Sequence, residues 1–256
     1  MYERYVAIGD SQTEGLGDGD DTTGLRGFAD RLAARVAEQN PDLLYANLAV
    51  RGKLAGEVHA EQLAPALELR PDLVTVVAGL NDVLRPKCDV DLVAGHLEAM
   101  FSSLRAAGAT VGTVTFPNVA RIAPLAKPLL PRVLALNARI REAADRHGVK
   151  VVETFAVDVT TDARIWSPDR LHASPEGHQR IADSMAHALE LPGADDSWTH
   201  PLPALPRPTR LTVIRTELRW LSGFLGPWLG RRLRGVSSGT GRAAKRPDLT
   251  PFRRDG

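Results

Sequence analysis

The residues in this sequence best suited to chemistry are Ser11, His172 and Asp169. Ser11 stands in Gly9-Asp10-Ser11, directly after the apolar run Tyr5-Val6-Ala7-Ile8. Four consecutive apolar, β-prone residues suit a buried parallel strand, and a glycine after them lets the backbone turn sharply. A serine just past the carboxyl end of such a strand sits where open α/β sheets place their ligands. It becomes a nucleophile once a base takes its proton. The same Gly-Asp-Ser also suits a turn that caps the next helix, so this stretch alone leaves both roles open. The candidate base is His172 in the loop 167–175, with Asp169 three positions before it. In a turn, that spacing could let the carboxylate accept from the imidazole Nδ1. Donors for a developing oxyanion would be the backbone N–H of Ser11, the N–H of Gly52 and the side-chain amide of Asn81. Each is ordinary turn chemistry by itself. Their weight lies in conjunction, because four separate loops each supply a role the others lack.

The intervening elements must bring those loops together. After Gly15 a polar, glycine-rich loop leads to a helix near 27–39, with Phe28, Leu32 and Val36 at helical spacing. Asn40-Pro41 stops it. Residues 43–47 read as a second strand, 55–67 as a helix, and 73–78 as a third strand running into Gly79-Leu80-Asn81-Asp82. A helix over 91–107 carries Leu92, Leu97, Met100 and Leu104 on one side and closes at Gly108. A strand at 111–115, a helix at 129–147, a strand at 150–153 and a helix at 175–189 complete the pattern. Five strand–helix units in alternation predict an α/β fold, a three-layer α/β/α sandwich on a parallel sheet. Right-handed crossovers bring every strand's carboxyl end to one edge, where Ser11, Gly52, Asn81 and the 167–175 loop would gather. A flavodoxin-like order 2-1-3-4-5 puts the first strand beside the switch point, although alternation alone leaves the order open.

A chain of 256 residues with 43% hydrophobic and 25% charged side chains suits one domain with a sizeable core and an appendage. The lone Cys88 excludes an internal disulfide framework and a multi-cysteine zinc site. Residues 1–4 leave no room for a secretory signal, and no apolar run approaches the ~20 residues of a membrane span. A cytoplasmic protein is therefore expected. The net charge of +1 hides an asymmetry: from Pro206 onward twelve Arg and Lys face three acids, while the rest of the chain is acidic. We expect a catalytic domain over 1–194 and a Pro/Arg-rich basic extension over 195–256, partly helical with a flexible end. Within it, Leu211, Ile214, Leu218, Leu221 and Leu225 recur at near-helical spacing, with Gly223, Gly226 and Pro227 interrupting. Such a stripe suits docking on the acidic domain or lying on an anionic membrane. Nucleic acid is not an expected partner, since only Trp220, Phe224 and Trp228 interleave the basic residues.

Several stretches are set aside. Gly235-Val236-Ser237-Ser238-Gly239 fits G-x-S-x-G but lacks the strand before and helix after that this motif needs. The glycines at 15–19 sit beside Asp18, Asp20 and Asp21, which would repel phosphate. His178 opens the last helix, where packing or capping is its expected role. Trp166 suits either a pocket wall or a core aromatic, and the apolar ARIAPLAKPLLP after Asn118 either an acyl wall or a helix lead-in.

Together, Gly9-Asp10-Ser11, Gly52 in NLAVRG, Gly79-x-Asn81-Asp82 and Asp169-x-x-His172 resemble the four signature blocks of the SGNH (GDSL-type) hydrolases, in their usual order. The similarity spans roughly residues 2–191, and no block residue is missing. It implies a flavodoxin-like five-stranded domain and an esterase, lipase, thioesterase or acetyl-esterase activity on a small acyl ester, with no metal or other cofactor. It implies Ser11 as nucleophile, His172 as base and Asp169 as its partner. Ser11, Gly52 and Asn81 would form the oxyanion hole, with Asp10 and Asp82 in support. GDSQTEGLGD and DRLHASPEGH look most like the lysophospholipase-like bacterial subgroup. Two other functions fit parts of the pattern. An acyltransferase would use the same acyl-enzyme, and a non-catalytic binder of acylated ligands would not need all five residues.

Overall fold

The computed structural model describes residues 1–206, 209–227, 230 and 239–253. Alternation along the first strand, β1 (Arg4–Gly9), decides which helices cover which face. Val6 and Ile8 enter one apolar layer, Tyr5 and Ala7 the other, and all four are fully buried. Successive strand residues face opposite sides, so a wholly apolar strand demands cover on both. The further strands are β2 (Leu44–Asn47), β3 (Leu73–Val77), β4 (Thr110–Val114), β5 (Lys150–Val152) and β6 (Arg246–Pro251). Helices α1 (Phe28–Ala37) and α5 (Pro175–Ala188) cover the Tyr5 face. Helices α2 (Ala55–Glu68), α3 (Val90–Ala106) and α4 (Leu130–His147) cover the Val6 face. A last helix, α6 (Arg210–Trp220), lies in the basic extension.

The sheet runs β5-β4-β3-β1-β2-β6. Its first five strands are parallel, in the order 2-1-3-4-5. The five-stranded expectation needs one correction: β6, from the end expected to be flexible, adds a sixth strand antiparallel to β2. An unpaired β2 would present an open edge, and a proline-bearing strand can close it because an edge strand need not donate on its outer side. Side chains fix the seat. The Arg246 guanidinium lies 5.2 Å over the Tyr45 ring, Phe252 meets that ring edge-on at 5.8 Å, and Lys245 pairs with Asp30 at 2.6 Å. Arg246–Pro251 thus completes the sheet begun by the five strands before it.

Leu92 is the other departure, 60% exposed rather than on the buried side of its helix. The Asp89 side chain caps α3 by accepting from the Leu92 N–H, a register that turns Val93, Leu97, Met100, Phe101 and Leu104 inward. The stretch after Asn118 forms a helical turn (Val119–Ile122) and a 3-10 segment (Pro124–Leu129) with Leu125 63% exposed, a lead-in to α4. Residues 235–238 of the G-x-S-x-G stretch, and Trp228, lie outside the described residues. Among the described residues no helix is long and apolar enough to cross a membrane.

His178 ties the two helices on the Tyr5 face to the loop after Ser11. Fully buried, it accepts the Phe28 N–H on Nδ1 at 3.1 Å and donates from Nε2 to the Leu16 carbonyl at 2.9 Å. Those partners require the neutral imidazole, and burial pushes its pKa down to about 4. The unfolded chain binds this proton near pH 6.5, so stability is full above that value and is lost as pH falls toward 4. Between about pH 7.5 and 5 this residue should account for roughly 2 kcal/mol of lost unfolding free energy. Urea denaturation at the two pH values, on wild type and His178→Gln, measures it as the difference in pH dependence.

Candidate active site

The Ser11 turn begins where β1 ends. At Gly9, φ is 151°, and a Cβ would collide with the Val77 carbonyl and the Thr13 hydroxyl. Only glycine fits there. The Gln62 side chain, reaching over from α2, satisfies both main-chain groups of Gly9, accepting its N–H at 2.8 Å and donating to its carbonyl at 2.9 Å. The chain then enters a helical turn, Ser11–Glu14, capped by Asp10 through the Gln12 N–H. Ser11 is held at the edge of this turn, 7% exposed.

The candidate base, His172, arrives from the far end of the fold. His172 Nε2 lies 2.9 Å from Ser11 Oγ, and His172 Nδ1 lies 2.6 Å from Asp169 Oδ2. The other Asp169 oxygen accepts from the Ser167 hydroxyl at 2.7 Å and from the N–H groups of Leu171 and His172 at 2.9 and 3.0 Å. Burial alone would raise this carboxyl's pKa. The His172 contact and the surrounding donors outweigh it and hold Asp169 well below the usual carboxylate range. The loop is closed by the Ser167 N–H on the His172 carbonyl at 2.8 Å and by a bridge between Trp166 and Ala173. Gln12 ties it to the nucleophile turn by accepting the Ala173 N–H at 3.1 Å.

Of the three expected oxyanion donors, two are open. The Ser11 and Gly52 N–H groups make no hydrogen bond among the described residues. Gly52, at φ 78°, lies in a turn held by its neighbour. Arg51 is buried, and it pairs with Glu14 through its guanidinium and its own N–H, with Asp21 accepting at 2.8 Å. Asn81 differs. Its Nδ2 already donates to Asp10 Oδ2 at 3.1 Å and to the Lys53 carbonyl at 3.0 Å, so neither amide hydrogen is free. Two acceptors on that side also fix the amide's orientation. Burial pushes the Asp10 carboxyl up to about 7, against the pull of Gln12, His172 and Asn81. Asp82 accepts the Ala55 N–H at 3.0 Å, tying the Asn81 turn to the start of α2. Its own pKa is raised by burial.

Beside the relay lies an apolar cavity of about 80 Å³. Gln12 and Ala173, the neighbours of Ser11 and His172, line it together with Leu80, Phe116, Trp166 and Ile181. Trp166 is thus a cavity wall, its indole donating to the Thr160 carbonyl at 2.9 Å. Glu14 and Gln62, not singled out in the sequence, and Trp220, noted there only among the basic residues, contribute to the site. The visible signal for Gln62 was a polar residue on the apolar side of a helix. Trp220, from α6, donates its indole N–H to the Asp169 carbonyl at 2.9 Å. Among the described residues no group of three or more His, Cys, Asp or Glu is placed to hold a metal ion.

An α/β sandwich that gathers a hydroxyl, an imidazole and a carboxylate at its strand ends has the parts of a hydrolase, and the family match makes it a carboxylic ester hydrolase. The chain belongs to the GDSL-like lipase/acylhydrolase family, whose model matches residues 7–180. Similar solved structures include a lipase/acylhydrolase from Enterococcus faecalis (21% identity, TM-score 0.59, covering 73% of this chain and 95% of that one). Another is the acetylxylan esterase Axe2 from Geobacillus stearothermophilus (18%, 0.61, 76% and 97%). A third is the psychrotrophic esterase EstA from Pseudoalteromonas sp. (17%, 0.58, 73% and 97%). At these identities they establish the shared fold. About a quarter of this chain has no counterpart in them. No curated protein sequence matches the chain.

The Glu14–Arg51 pair offers a direct test of what holds the site together. Arg51→Met strands a buried carboxylate and should cost about 3–5 kcal/mol in guanidinium denaturation. Adding Glu14→Leu should recover much of that loss, because no charge is then left unpaired.

Proposed function

We propose that the protein hydrolyses acyl esters through an acyl-enzyme on Ser11. The observation that carries this reading is the unbroken run of contacts from Ser11 Oγ to His172 at 2.9 Å and from His172 to Asp169 at 2.6 Å. In the first step Nε2 takes the Ser11 proton while Oγ bonds to the ester carbonyl carbon. The carbonyl oxygen becomes an oxyanion, and the Ser11 and Gly52 N–H groups are its available donors. Asn81 joins them by giving up either Asp10 or the Lys53 carbonyl. The tetrahedral intermediate collapses, the imidazolium protonates the departing alkoxide, and the acyl group stays on Oγ. Water repeats the sequence: His172 takes its proton, hydroxide adds to the acyl carbon, and the proton returns to Oγ as the carboxylic acid leaves. Asp169, kept ionised, stabilises the imidazolium in both halves. The apolar cavity beside Gln12 and Ala173 suits the acyl chain.

A fluorophosphonate probe followed by peptide mass spectrometry should label Ser11, and Ser11→Ala should lose both the label and turnover of a short p-nitrophenyl ester while keeping its far-UV spectrum. Near-full activity in purified Ser11→Ala would defeat the assignment. If Asn81 turns toward the oxyanion in the transition state, Asn81→Ala should lower kcat by on the order of a hundredfold with KM little changed.

A further inference from the structure

Among the described residues, Glu217 and Trp220 fix helix α6 to the loop 167–175. Trp220 is 8% exposed, with its indole on the Asp169 carbonyl, and Glu217 pairs with Arg170 at 2.6 and 2.9 Å. The Arg170 guanidinium lies 4.8 Å from the centre of the Trp220 ring. Arg170 itself has φ 58°, a left-handed conformation costly for a side chain with a Cβ, and these contacts help hold it there. Glu217 and Trp220 are three apart and so share a side of the helix. Leu211, Ile214, Leu218 and Leu221 recur at spacings of three and four along a different side, and they are 55%, 55%, 60% and 37% exposed. An apolar stripe ordinarily turns inward. Here the Trp220 side is committed to the catalytic loop, which holds the stripe out.

The flanking charge says what the stripe fits. Arg215 and Arg219 are exposed and make no ion pair among the described residues, whereas Arg170, Arg242 and Lys245 are each matched to an acid. An apolar ridge bordered by these guanidinium groups is complementary to an anionic lipid surface, with leucines in the acyl boundary and arginines on phosphate. We propose that α6 is a docking surface for anionic phospholipid bilayers. Because it stands on the carbonyl of Asp169, docking seats the catalytic loop at the lipid surface. Binding is independent of the acyl-enzyme reading; the idea that it presents amphiphilic esters to Ser11 rests on that reading.

The test is co-sedimentation of the full chain with vesicles of phosphatidylcholine alone or with about 30% phosphatidylglycerol, at low and high NaCl, alongside light scattering and p-nitrophenyl acetate turnover. Wild type should bind the anionic vesicles at least tenfold more tightly, with the preference fading at high salt. Ile214→Asp/Leu218→Asp should weaken binding at least tenfold, and Arg215→Glu/Arg219→Glu should erase the preference for anionic lipid. Both variants should keep soluble-ester kcat/KM within about twofold, which shows that they fold. No binding at low salt, binding untouched by Ile214→Asp/Leu218→Asp, or an anionic preference surviving Arg215→Glu/Arg219→Glu would overturn the proposal. So would a wild-type dimer that the aspartates make monomeric in the absence of vesicle binding, since the stripe would then join two copies. Vesicle binding without any ester turnover would leave this surface standing and count against the reaction.

Discussion

One hydrogen bond, between a hydroxyl and an imidazole 161 positions apart in the chain, organises this molecule. Neither end is free to drift. Ser11 is set by a glycine that admits no Cβ and by the Gln62 amide that takes both main-chain groups of Gly9. His172 is set by a carboxylate that accepts four hydrogen bonds from its own loop, counting the imidazole. Gln12 joins the two supports directly. A parallel sheet makes the meeting possible, because it sends every strand's carboxyl end to the same edge.

The two carboxylates nearest the relay are pushed in opposite directions. Burial lifts Asp10 to about 7, while the imidazole and main-chain donors hold Asp169 far down. Hydrogen bonding therefore favours the charged form of Asp169, and burial favours the neutral form of Asp10. Their places explain the split: Asp10 is enclosed beneath the nucleophile turn with Asn81 and Gln12 as partners, and Asp169 sits in a loop rich in N–H groups. Different environments for two like groups are how one site keeps a fixed anion beside a titrating one.

The basic extension is divided between the two ends of this edge. Arg242, Lys245 and Arg246 are consumed by Asp21, Asp30 and Tyr45 as β6 pairs with β2. The Cβ direction of Gly239 points at the Arg51 carbonyl, so the chain passes close to the Gly52 turn. At the other end Trp220 and Glu217 hold the loop that carries Asp169 and His172. An acidic domain and a basic appendage thus meet through specific pairs, not only through a diffuse field.

Much of the architecture was legible from short-range pattern. The run Tyr5–Ile8 closed by Gly9, the helical spacing of Phe28, Leu32 and Val36, and the glycines at strand ends mark five strand–helix units because burial of one face imposes a period on the residues themselves. Ser11, Asp169 and His172 were legible for the same reason, each lying in a loop at the end of such a unit. Other features carry no local period. Arg246–Pro251 holds two prolines and little alternation, and becomes a strand only because β2 offers an edge. Asn81 reads as a candidate donor or a turn residue, and only the fold sets Asp10 and the Lys53 carbonyl beside its amide. Trp220 reads as one more aromatic on a basic helix, yet it caps the Asp169 carbonyl from 51 positions away. The sequence by itself determined which elements form and which side chains could react, since both depend on neighbours in the chain. Tertiary structure alone decided which polar groups are already occupied and which apolar ones stay exposed, since that depends on what distant segments bring to the same few ångströms.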